Sequence, residues 1–331
     1  MAGVRLGAGL LIALAAGAAA GGWWLLAGAV LAGALAACVP EPAAELERAR
    51  KIPLARATGL AARVGLLPVF GSVFGAYLVP EHRAPAAAAM VLVVTAAALP
   101  GRSLPRFVRA WLLGIVLVAG AGLVALCAAI APERGAGTGP GPLGMFAAAA
   151  VLFPLLSRRG AKPSWWEAGA VAATLAVCAG ALYQLGPVRL GLSPVPVRDL
   201  LAAVDGRPLE PLLAAVVVIA TVPAAFGELA AIRTRLPGWQ ETLACGAAGA
   251  AGAALLAPVP ALLLAAALAL AEVLVRALLT LSVRRRDLRA VVSAALAVTL
   301  LACLPAWYLL PALVVIALAL VASRPAGTTK R

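Results

Sequence analysis

Charge is what this chain has least of. Asp, Glu, Lys and Arg together make up 12% of 331 residues, aromatic residues 5%, and there is one histidine. A water-soluble domain cannot cover its surface with so little polar material, which excludes a soluble enzyme or binding module. A single His82 excludes a histidine metal cluster. The five cysteines (Cys38, Cys127, Cys178, Cys245, Cys303) stand singly with no CxxC pair, so they read as small packing residues, with neither metal nor disulfide implied. No GxxxxGK[ST] loop is present, which removes a nucleotide-driven pump. No DxxxD pair occurs among the 13 acidic residues, so a metal-assisted membrane transferase lacks its ligands. No catalytic residue and no cofactor is expected, and the chain does not read as an enzyme.

What is abundant is apolar sequence, at 64%. A bilayer core about 30 Å thick needs about 20 apolar residues per helix. Apolar runs fall at 5–20, 22–38, 54–79, 85–100, 106–131, 143–157, 164–185, 208–232, 239–256, 258–281, 288–303 and 305–323. They predict an all-α integral membrane protein with about 12 transmembrane helices (ten to twelve) in a single polytopic domain over 1–331. Barrel-type alternation is absent, which leaves helices as the spanning structure. The run after Arg5 is expected to be a first span rather than a cleaved signal peptide, because 22–38 follows it at once.

Basic residues set the expected orientation. With a cytoplasmic N-terminus, one side carries Arg5, then Arg48, Arg50, Lys51 and Arg56, then Arg102, Arg106 and Arg109. Arg158, Arg159 and Lys162 follow, then Arg233 and Arg235, then Arg284, Arg285, Arg286 and Arg289, then Arg324, Lys330 and Arg331. The other side holds Arg83, Arg134, Arg189, Arg198 and Arg207, while Arg63 and Arg276 lie within spans. This bias predicts a multi-pass protein of the cytoplasmic membrane with both termini inside. A net charge of +14 scattered in short clusters beside apolar runs signals topology and attraction to anionic lipid, not nucleic acid. Trp23, Trp24, Trp111, Trp165, Trp166, Trp239 and Trp307 sit at span ends, as interfacial belts do. The segment 132–142 is Gly/Pro-rich and reads as a flexible loop. On the outer side, Leu200 to Val204, flanked by Arg198 and Asp205, predicts a short helix lying along the surface.

Residues 181–190 read ALYQLGPVRL, 192–201 read LSPVPVRDLL, and 232–237 read IRTRLP. This region resembles the seventh to eighth helices of amino acid permeases of the amino acid–polyamine–organocation (APC) superfamily. There, a helix ends in a Leu-Gly-Pro-like turn, a short outer helix follows, and the next helix ends in an Arg-rich stretch before Leu-Pro. Gly7-Ala8-Gly9-Leu10-Leu11 is similar to the Gly-x-Gly motif of the family's broken first helix. The resemblance implies a LeuT-like fold of two inverted five-helix repeats, about 5–131 and 143–256, plus two further helices at about 258–323. It also implies alternating-access transport of a small amino acid or amine across the cytoplasmic membrane, driven by protons as a coupling ion or by exchange.

The resemblance places substrate binding at Gly7, Ala8 and Gly9 in the first helix and at Phe153 and Pro154 in the sixth. Unwound half-helix ends there would present backbone N–H groups to the substrate carboxylate. The alternative is a small-residue packing face at Gly7–Gly9 and a proline kink at Pro154. The sixth helix departs from the family pattern: it lacks a glycine break and runs into Ser157-Arg158-Arg159. That departure keeps open a degenerate, non-transporting membrane scaffold or accessory protein. Glu272 and Arg276, four apart on one helix face, are expected to form an ion pair or to serve coupling. Glu228 is expected to be solvated near the end of its span. Arg63 should meet a carbonyl or an acidic group inside the bundle, or else snorkel outward.

Overall fold

The computed structural model describes residues 2–40, 53–101, 104–132, 139–157, 165–236, 238–284 and 286–322. The basic segments at 41–52, 158–164 and 323–331 lie outside the described residues, as does most of the Gly/Pro-rich loop. All regular structure among the described residues is helical: α1 (Ala2–Gly21), α2 (Leu25–Cys38), α3 (Pro53–Val64), α4 (Leu66–Leu78), α5 (Arg83–Ala98), α6 (Arg106–Ala129) and α7 (Gly144–Leu156). The order continues with α8 (Trp165–Leu192), α9 (Pro196–Ala203), α10 (Glu210–Arg233), α11 (Trp239–Leu255), α12 (Pro258–Val283), α13 (Leu288–Ala302) and α14 (Leu309–Ala322). Each apolar run of the sequence becomes helix, because in an apolar medium only a helix satisfies a segment's backbone from within. The short helix expected around Leu200–Val204 is α9, which opens on Pro196 with its ring-fixed φ suited to a first helical position.

Length separates these helices into two classes. Among the described residues, six stretches are long and apolar enough to cross a membrane: Gly7–Cys38, Pro53–Leu78, Phe107–Ala129, Val171–Leu192, Arg207–Arg233 and Pro258–Val283. A seventh is reached if α13 and α14, bent by 111° at their junction, count as one span. Twelve were expected. The shortfall lies in segments such as α7, whose 13 residues rise about 20 Å against a core of about 30 Å. The described residues are therefore all-α, with six or seven membrane-spanning candidates.

Gly7–Cys38 is not one straight rod. Gly22 has φ +55, a left-handed conformation that glycine adopts without a steric penalty. Side-chain positions built on Gly21 and Gly28 would both fall within 2.9 Å of the Ala148 methyl. They are therefore within about 6 Å of each other, whereas seven residues of straight helix span about 10.5 Å. The chain folds back at Gly22, and α7 is wedged between α1 and α2. Gly9 lies against Leu155 and Gly21 against Gly144, so α1 and α7 run antiparallel.

Two packing groups result. α1, α2, α7 and α8 form one, and α4, α5, α10 and α11 form the other. α6 lies against α1, α8 and α10, while α12 packs on α3, α4, α7 and α13, and α14 covers α3. Small residues permit these approaches: Gly249 and Gly252 of α11 face Leu67 and Pro68 of α4, and Gly71 faces Ala253. Close backbone packing is a principal source of helix association where lipid removes the hydrophobic drive. A second break occurs in α8, where Gly186 (φ 69, ψ 165) precedes Pro187 and turns the last residues of the helix aside.

Candidate functional site

The two stretches expected to bind substrate do meet, but as packed helix. α1 is helical from Ala2 to Gly21, through Gly7, Ala8 and Gly9. α7 is helical from Gly144 to Leu156 with Phe153 and Pro154 inside it. The expected unwinding at both positions is thus corrected. Pro154 stands in the last turn, so the i→i−4 hydrogen bond it removes falls where α7 ends, two residues beyond, and does not break the body of the helix. The space a side chain on Gly9 would take is filled by the Leu155 side chain, and that of Gly7 by Val116 Cγ1 at 2.6 Å. Ala8 and Phe153 are fully buried. These glycines serve close contact between α1 and its neighbours. The left-handed break in this part of the chain lies at Gly22 instead.

A second cluster, at the junction of α3, α10 and α12, is where the charge is concentrated. Both α10 and α12 run antiparallel to α3: Arg63 faces Glu228 and Gly59 faces Arg235, while Gly65 meets Leu268 and Gly59 meets Glu272. Arg63 Nη1 donates to Glu228 Oε2 at 3.2 Å, with the two side chains 10% and 0% exposed. The expectation of a solvated Glu228 is corrected: five residues before the end of α10, on the face toward α3, it is fully enclosed. Arg63 takes the acidic partner inside the bundle.

Arg276 Nη2 donates to Glu272 Oε1, which is the expected i,i+4 pair on α12. One turn from Arg63, Gly59 has no side chain. Arg235 Nη1 lies 2.6 Å and Glu272 Oε1 3.3 Å from the position its Cβ would occupy. Ionisable groups enclosed in a membrane bundle are costly and persist where partners or an aqueous path offset them. Two carboxylates and three guanidinium groups accordingly share this junction. Arg63, Glu272 and Arg276 were visible as charges inside apolar runs. Gly59 and Arg235 were not, since nothing local ties them to the cluster.

At the other end of α4, Tyr77 links three elements. Its hydroxyl donates to the Leu11 carbonyl of α1 at 2.8 Å and accepts from the Val197 backbone N–H at 3.3 Å. Arg198 Nη2 donates to the Tyr77 carbonyl at 2.8 Å. Ser193 Oγ donates to Asp199, fixing the turn into α9. The short helix α9 is thereby tied to the end of α4 and, through Tyr77, to the middle of α1.

Compared with known proteins, the chain matches no family model and no curated sequence.

Proposed function

We propose that this chain is a permease-like membrane protein of the APC type that acts as a non-transporting scaffold or accessory protein. The observation that carries this reading is the packing at Gly9. Helical backbone in α1 and α7 keeps its N–H groups in internal hydrogen bonds, and Leu155 fills the space an amino acid carboxylate would need. Substrate capture in a LeuT-type fold requires the opposite, bared peptide groups beside a cavity.

A LeuT-like arrangement is supported by the pairing of elements. With α1, α2, α3–α4, α5 and α6 as one unit and α7, α8, α10, α11 and α12 as the other, many contacts have a counterpart. The contact of α1 with α8 is matched by α7 with α2, that of α4 with α11 by α10 with α5, and that of α1 with α6 by α7 with α12. An inverted repeat produces such matching. On this reading all twelve apolar segments sit in the cytoplasmic membrane, the short ones in a locally thinned bilayer, and the basic ends of α3, α10 and α12 face the cytoplasm.

A second reading, transport of a small amino acid or amine with proton coupling, is favoured by Glu228 and Glu272. Buried carboxylates in a membrane bundle are common parts of ion pathways. Proteoliposomes loaded with the purified chain and offered labelled amino acids under an inward proton gradient separate the two. The scaffold reading expects uptake equal to that of empty vesicles. Uptake above that level, lost in Glu228→Gln, overturns it in favour of transport.

A further inference from the structure

We propose that the α3–α10–α12 junction holds the phosphate headgroup of an anionic phospholipid, gripped by Arg56, Arg235 and Arg276. This rests on the membrane reading alone and holds whether or not the chain transports.

Arg56, Gly59 and Arg63 follow one another at i, i+3 and i+7, so they share one face of α3. Along that face the environment is graded. Arg63 is enclosed with Glu228, the Gly59 level holds Arg235 beside Glu272, and Arg56 is exposed. Arg276 meets the same Glu272 oxygen and keeps 27% of its side chain exposed. Both carboxylates lie at the enclosed end, Glu228 at 0% and Glu272 at 4% exposure. Whatever bonds each group makes within the cluster, the described residues along this face hold four guanidinium groups and two carboxylates. The surplus positive charge lies at the accessible edge.

The shape suits a phosphate. Because Gly59 has no Cβ, the Arg235 guanidinium sits directly against the α3 backbone, beside the Glu272 carboxylate that Arg276 also meets, so two guanidinium groups are drawn to one place. A guanidinium offers planar paired N–H donors that match two phosphate oxygens, and its weak hydration makes partial burial affordable. Basic recesses between membrane helices on the cytoplasmic side bind lipid headgroups, where anionic lipid is concentrated. A soluble phosphate has the same chemistry, so the source is decided by experiment.

The full-length chain in neutral detergent would be titrated with phosphatidylglycerol, with phosphatidylcholine and with inorganic phosphate, and bound lipid read by native mass spectrometry. Saturable retention of phosphatidylglycerol over phosphatidylcholine is expected, weakened at least about tenfold in Arg235→Gln and in Arg56→Gln. The latter removes an exposed side chain and leaves the fold intact. Arg289→Gln, an exposed arginine at the start of α13, should bind as the wild type does. Displacement of the lipid by millimolar phosphate would support the same site with a soluble anion as its ligand. Equal retention of the two lipids, or an equal loss in Arg289→Gln, would overturn the proposal, since attraction would then come from the basic face as a whole.

Discussion

Changing Glu228 to glutamine tests whether the enclosed charges at the α3–α10 contact hold the bundle together. The side chain is fully buried, and Arg63 opposite it is 10% exposed, so solvent screens this pair little. Removing one member of a buried ion pair leaves the other charge uncompensated and costs about 3–5 kcal/mol. At about 2 °C per kcal/mol for a large domain, Glu228→Gln should melt about 6–10 °C below wild type. Glutamine keeps the shape and can still accept from Arg63, which places it toward the smaller value. Arg63→Met strands the carboxylate and should lie toward the larger. In the double variant Arg63→Met with Glu228→Met neither member of this pair is left facing a missing partner, and part of the loss should return, because apolar replacement of a whole buried pair is often neutral. The cycle of four proteins isolates the coupling between the sites. Thermal unfolding in detergent, followed by a fluorescence-detected monodispersity assay, supplies the measurement. Singles that melt within about 1 °C of wild type, or a double variant as weak as their sum, would refute the pairing as a stabilising contact.

Three further outcomes follow from the packing. Gly9→Val should lower stability by about 1–3 kcal/mol by overpacking against Leu155; Leu155→Ala in the same chain should restore part of it, and a melt of Gly9→Val equal to wild type would remove the close contact. Tyr77→Phe deletes the bond to the Leu11 carbonyl and strands the Val197 N–H. Amide exchange in Pro196–Ala203 should speed up by about tenfold for an expected loss of about 1.4 kcal/mol, and unchanged exchange would show that Tyr77 does not anchor α9. Single cysteines placed at Arg56 and at Glu81 in a cysteine-free chain should react with impermeant maleimide from opposite sides of the membrane. Labelling of both from one side would invert the expected order of spans.

The length and place of the helices were legible because apolar composition acts locally. A run such as 258–281 has few polar options in lipid, and it becomes α12. Glu272 with Arg276 was legible for the same reason: a spacing of four in one helix brings two side chains together whatever surrounds them. The short helix α9 also followed from a short apolar turn between charges. The resemblance pointed to broken helices at Gly7–Gly9 and Phe153–Pro154, yet glycine serves close packing as readily as unwinding. Only the neighbour decides between those uses, and at Gly9 the neighbour is Leu155.

Tertiary structure alone decided the rest. Arg63 and Glu228 are 165 residues apart, and no local pattern says that α3 lies antiparallel to α10. Glu228 near a span end looked solvated because its depth depends on what covers that end, and α3 covers it. Gly59 and Arg235 entered the charged junction by the same route. One strand of sequence carries the preference of each segment for helix and for lipid. Which face of one helix meets which face of another is set by the summed contacts of distant segments, and there the enclosed charges found their partners.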